Sequence, residues 1–295
     1  MNSDRFLPLA SRFFGFVTLA FLILSVLLAL FLPWDLFTEL RQEGLRSLLT
    51  HYPKMAILLQ CGALTVAFLA FVFFRKTLDK NMVGLFPDGG RTALRQGLWG
   101  AGVGAVMAIL LLITCFALGI LRFKVNPEGW SILPLYSVFF LLVALEQELL
   151  FRGYLLKLFS ENMQPWKALL TSTLLISLFQ DVGEGSIVLS GINLLLSSIL
   201  LGLVYLHFKS IWAAVGLHFS LHFLQGLTMG FKVGKGEVHG LLIPVQQGHA
   251  DWISGIGVGM EGSIITTILY LGAIGWVYFT TKPELVMPKK VEAAA

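Results

Sequence analysis

The sequence predicts an all-α membrane protein, a bundle of about eight transmembrane helices. Three observations carry that prediction. Of the 295 residues, 56% are hydrophobic and only 13% are charged, where a soluble domain holds about 45–50% apolar and about 25% charged residues. Charge-free apolar runs of helix length recur along most of the chain. The polar residues that do interrupt them gather in a few places rather than alternating with apolar ones. A soluble enzyme, a disordered tail and a nucleic-acid binder are excluded.

A helix needs about 20 apolar residues to cross about 30 Å of hydrocarbon. The runs lie at 13–34, 55–74, 96–121, 129–145, 168–180, 185–206, 210–231 and 262–281. Lipid offers no hydrogen-bond partners, so unbroken helices are the form these runs must take. A strand barrel would need alternating segments, which are absent. The first run is too long for a signal-peptide core and no small-x-small cleavage site follows it, so a retained anchor is expected. The fourth and fifth are short because Glu146, Glu148 and Arg152 interrupt one, and Gln180 and Asp181 the other. Cys61 and Cys115 both fall inside apolar runs, which argues against a disulfide framework. There is no fixed-period repeat and no pair of inverted halves, which lowers the expectation of a transporter.

The connections divide the chain into an N-terminal part over 1–125, an intramembrane core over 126–282 and a polar tail over 283–295, expected to be disordered. Segment 35–53 carries charge of both signs and is expected along the membrane interface. Segment 232–261 holds Gly234, Gly236, Gly240, Gly248, Gly255, Gly257 and Gly259, and reads as a flexible extracytoplasmic loop. With the N-terminus inside, 14 of the 21 Lys and Arg fall in inner segments and 7 in outer ones. That bias places both termini in the cytoplasm. A bacterial inner-membrane location is the matching expectation. The net charge of +4 is spread through these loops and is topology information, not a nucleic-acid surface.

An ionised side chain at mid-bilayer costs at least about 2.5–3.5 kcal/mol. The fourth run accepts three within seven positions, Glu146, Glu148 and Arg152. Glu148 and Arg152 stand four apart and share one helix face, where they can pair. Glu146 points away from Glu148 and needs either the cytoplasmic interface or a second polar partner. The plain alternative is an ion pair that only neutralises itself near the inner surface. The seventh run carries His218 and His222, one turn apart on one face. Such a pair can bind a divalent metal, but the zinc-protease helix also needs a Glu beside its first His, which is absent. The plain alternative here is a pair of hydrogen-bonded core histidines. Gln180 can be satisfied by helix–helix hydrogen bonding, and Asp181 is expected at the outer boundary. His207, His239 and His249 have no companions at ligand spacing.

These residues carry a resemblance. Glu146–Leu155 resembles the first motif of the CAAX prenyl endopeptidase and bacteriocin-processing (CPBP) family of intramembrane proteases: a Glu-Glu pair, three residues, then Arg and Gly. The register here is Gln147-Glu148-x-x-x-Arg152-Gly153. The third motif, His-x-x-x-Asn, is matched by His218-x-x-x-His222 within Ser210–His218, and the second, Phe-x-x-x-His, by Ile176-x-x-x-Gln180. The resemblance spans about 130–230 and implies the family's helical core. It also implies roles. In the family the first Glu and the second-motif His activate a water, while the third-motif His and Asn hold the oxyanion. Gln147, Gln180 and His222 stand at three of those positions, and Glu148, Arg152 and His218 keep the family's residue types. Glutamine accepts no proton near neutral pH and cannot serve as a general base. Among other intramembrane proteases, no His-Glu-x-x-His, presenilin-type Gly-Asp or rhomboid-type Gly-x-Ser is present.

Three readings follow. In the first, the protein is an active endopeptidase using Glu148 and His218, for which Glu148 needs a path to water. In the second, it is a silent member that binds or scaffolds, keeping a cavity between the fourth, fifth and seventh helices. In the third, a metal is held by His218, His222 and Glu148. The first two need no cofactor. Expected partners are membrane lipids, hydrophobic or lipidated peptide segments and other membrane subunits. Reporter fusions at the C-terminal tail and within 232–261 should label opposite sides of the membrane; a common side would make the helix count wrong by one.

Overall fold

The computed structural model describes residues 52–77, 90–177, 187–232, 240–248 and 250–281, with scattered positions between 11 and 38. Gln180, Asp181, His239, His249, the tail over 283–295 and most of the first apolar run lie outside the described residues. The other seven runs form helices. In chain order these are α1 (Pro53–Thr77), α2 (Gly90–Ala117), α3 (Gly129–Glu148), α4 (Lys157–Asn162), α5 (Pro165–Ser177), α6 (Ile187–Phe208), α7 (Ile211–His222), the short α8 (Asp251–Ser254) and α9 (Ile264–Thr281).

Five stretches are long and apolar enough to cross a membrane: Lys54–Phe74, Gly90–Ala117, Gly129–Asn162, Val188–Phe208 and Ile264–Thr281. The protein is therefore an integral membrane protein with a helical core. The fourth run is longer than its charge-free part, because Glu148 and Arg152 sit inside the helix and not at its boundary. A π-helical stretch, Leu149–Leu156, carries α3 directly into α4. A second, Phe223–Thr228, extends α7. The fifth run forms a helix of 13 residues, α5.

Two features depart from the sequence expectation. The fold is all-α in class, as expected, but carries one small strand pair: β1 (Leu121–Val125) and β2 (Leu242–Gln246) pair antiparallel, with Leu121 opposite Gln246 and Val125 opposite Leu242. Segment 232–261 is also not simply a flexible loop, since β2, α8 and a 3₁₀ turn at Met260–Gly262 build much of it. Its glycines were the misleading signal. Gly255 ends α8 at φ 74° and Gly259 sits at φ 102°, so both supply turns that other residues adopt only with strain. The two strands bring the connections around 122–124 and 242–246 to one end of the bundle.

The closest helix pair places the site. Along α2, Gly97, Gly100 and Gly104 face Trp212, Ala213, Leu217 and Ser220 of α7, and Gly216 faces Gly97 in return. A Cβ at Gly100 would run into the Ala213 carbonyl, and one at Gly216 into the Gly97 carbonyl. Small residues at such a seam let membrane helices approach backbone to backbone. With this face of α7 against α2, the opposite face, bearing His218 and His222, turns inward. Gly100→Val should therefore force the pair apart and cost about 1–3 kcal/mol, read as a lowered unfolding temperature in detergent. Gly62→Val, at a glycine whose Cβ would meet nothing within 4 Å, should leave that temperature nearly unchanged.

Candidate active site

Glu148 is the last residue of α3 and is fully buried. Its Oε1 accepts a hydrogen bond from Arg152 Nη1 at 2.9 Å and lies 2.7 Å from His218 Nδ1. A carboxylate only accepts, so this contact assigns the His218 proton to Nδ1. The second guanidinium nitrogen, Arg152 Nη2, donates to both the carbonyl and the Oγ of Ser198 on α6, each at 3.2 Å. Ser198 Oγ lies 3.4 Å from Thr173 Oγ1 on α5 and donates to it. One buried chain of polar contacts thus fastens α3 and its π continuation to α5, α6 and α7.

The pairing expected of Glu148 and Arg152 is present, and both residues lie deep in the bundle: Arg152 is 2% exposed. Buried charges persist when they are paired and their remaining polar atoms are satisfied. Among the described residues, Glu148 Oε2 has no hydrogen-bond partner. Glu146, on the other side of α3, finds the second polar partner it needs in α1, where Gln60 Nε2 donates to its Oε2 at 2.9 Å.

Beside this chain lies a cavity of about 50 Å³, lined by Gln147, Arg152, Ser198, His218, His222, Gln225, Glu261 and Tyr270 among others. A single water needs about 10–15 Å³ of such space, so a water or a small polar group fits. Gln147 is half-buried at this wall, and Glu148 is not among the lining residues. The cavity is wider in origin than the fourth, fifth and seventh runs, because α6 supplies Leu194, Ser197 and Ser198, and α9 supplies Tyr270. The His222 ring stacks on Phe140 at 5.7 Å and lies 4.7 Å from the His218 ring. Residues 129–224 match the family model described as type II CAAX prenyl endopeptidase Rce1-like. No curated protein and no solved structure matches the chain.

The Rce1-like stretch begins at the first residue of α3 and ends just after α7, about a third of the chain. It contains Gln147, Glu148, Arg152, His218 and His222, which the fold brings together; Gln180 falls within it but outside the described residues. His207 sits at the end of α6, edge-on to Phe208 at 4.6 Å and away from the cavity lining. The metal reading is not assembled. Among the described residues no three His, Cys, Asp or Glu side chains are grouped to hold an ion, and His218 Nδ1 is turned to Glu148.

Ser198, Thr173, Gln225, Glu261 and Tyr270 were missed by the sequence reading. A serine or threonine in an apolar helix ordinarily bonds its own backbone, so nothing singled out Ser198 or Thr173. Glu261 had a usable signal, since it is the acid abutting the last apolar run. The geometry predicts that Glu148→Ala leaves Arg152 buried without its counter-ion, costing about 3–5 kcal/mol. Adding Arg152→Leu should recover part of that loss in a double-mutant cycle of unfolding free energies. Simple additivity would mean that the two side chains do not interact.

Proposed function

We propose that this chain is a CPBP-type intramembrane protein with weak or no peptidase activity, acting as a binding or scaffolding subunit in the membrane. The single observation that carries the reading is the division of labour between two adjacent residues. Gln147 lines the cavity, while the Oε1 of Glu148 is engaged by Arg152 and His218, which line the cavity in its place. Water attack on a peptide needs a proton acceptor within hydrogen-bond reach, and losing one removes about 10²–10⁴ in rate. The carboxamide of Gln147 has the size of the acid and none of its basicity. Glu148 keeps the carboxyl group, but its Oε1 is held by Arg152 and His218.

What survives is recognition. Gln147, His222, Gln225 and Tyr270 offer donors and acceptors around the cavity. That lining suits a backbone amide or another neutral polar group carried by a hydrophobic or lipidated segment. Neighbouring membrane subunits are the other partners proposed, in a bacterial inner membrane with both termini cytoplasmic. A second reading, an active endopeptidase, is favoured by one observation: Glu261 places a carboxylate at the cavity.

Cleavage of a fluorogenic membrane peptide by the purified protein tests both. The unmodified chain should turn over at or near background. The triple change Gln147→Glu, Gln180→His and His222→Asn should raise cleavage by at least tenfold. Robust turnover by the unmodified chain, abolished by Glu261→Gln with the unfolding temperature unchanged, would overturn the proposal and make Glu261 the base.

A further inference from the structure

On the outer flank of the bundle, away from the polar cavity, α2 and α9 enclose an apolar groove of about 790 Å³. Gly102, Val106 and Leu110 form one wall, and Ile268, Gly272 and Trp276 the other. Val106, Leu110 and Ile268 are all exposed. Trp99 and Trp276 stack across the groove at 6.0 Å, with their rings 12° apart. They mark the end where α2 starts and α9 finishes. Aromatic pairs of this kind sit at the level of lipid headgroups.

We propose that this groove is a binding site for an anionic phospholipid, with an acyl chain between α2 and α9 and the phosphate at Arg91 and Arg95. The proposal goes beyond the cavity and does not depend on whether that cavity is active. Its first support is the apolar lining, which matches a hydrocarbon chain. Its second is charge at one end only. At 3.6 residues per turn, Arg91, Arg95, Gly102 and Val106 fall on one stripe of α2. Both arginines are exposed, one and two turns before Trp99, toward the start of the helix. Side chains on a helix lean toward its N-terminus, so both guanidinium groups project past the tryptophans into the headgroup layer. The start of α2 also favours an anion, because its first backbone N–H groups lack helical acceptors. A hydrophobic helix from another protein would fill the groove but leave two cations over its end. The Lys and Arg count assigns this end to the cytoplasmic leaflet, where anionic lipids attract basic residues.

The third support is the fit of the walls. A Cβ at Gly102 or Gly272 would meet nothing within 4 Å, so these glycines hold the groove open and are not forced by packing. They also supply the test. The full-length protein is placed in nanodiscs of equal parts phosphatidylglycerol and phosphatidylcholine, then released in mild detergent for native mass spectrometry of retained lipid. Phosphatidylglycerol should be retained in preference. Arg91→Gln with Arg95→Gln should reduce that preference roughly tenfold without changing the unfolding temperature, since both side chains are exposed. Gly102→Leu with Gly272→Leu should abolish retention of either lipid with the helical circular dichroism intact. Equal retention of the two lipids by the unmodified protein would overturn the proposal. So would unchanged retention in the groove-filled variant, or a Gly272→Cys crosslink to a second copy or another polypeptide.

Discussion

A carboxylate and a guanidinium buried together in a helical membrane bundle constrain everything around them. Neither Glu148 nor Arg152 can be left alone in a medium that offers no water, so each must be held by the other and by further polar groups. Oε1 of Glu148 answers both Arg152 and His218, and the guanidinium reaches across to Ser198. Four separate helical segments are therefore fixed relative to one another by one set of contacts. The apolar core packs around it: Tyr154 and Leu155, both fully buried, follow Arg152 within the same π-helical stretch. The Gly100–Ala213 seam then fixes α7 from the far side, so that His218 cannot withdraw from Glu148 without parting two backbones in contact.

The same constraint separates structure from chemistry at neighbouring positions. Successive residues on an α-helix point about 100° apart, so Gln147 and Glu148 leave α3 in different directions. Glu148 holds the arginine and histidine, and those two line the cavity together with Gln147. A base must reach a water, and the Oε1 of Glu148 is taken up by the guanidinium and the imidazole. Helical geometry, not distance along the chain, decides which of the two positions joins the buried polar chain.

Much of this was legible in the sequence because the cost of a charge in lipid makes every intramembrane ion conspicuous. Glu148 and Arg152 at a spacing of four, with two histidines one turn apart elsewhere, mark the site by residue type and spacing alone. Glu146 was legible as a residue needing a partner, but Gln60 was not, because one glutamine in an apolar run names no neighbour. Ser198 and Thr173 were illegible for a different reason: their roles exist only once α5 and α6 lie beside the arginine. The β1–β2 pair was hidden because its strands are 5 residues each and separated by most of the core. Segment 232–261 was misread because glycine is equally the residue of flexible loops and of tight, well-packed turns.

The pattern of departures from the CPBP motifs follows the same energetics. The positions that keep the family's residue types are Glu148, Arg152 and His218, and each of them is part of the buried polar chain. Replacing any one alone would leave a charge or a hydrogen-bonding group stranded in the bundle, a loss of several kcal/mol from a fold whose whole margin is about 5–15 kcal/mol. The described positions that differ, Gln147, Ile176 and His222, line the cavity, as Arg152 and His218 also do. At Gln147 and His222 a polar side chain of another kind still meets the cavity or stacks on Phe140, so the exchange leaves the packing intact and changes only what can be done to a proton.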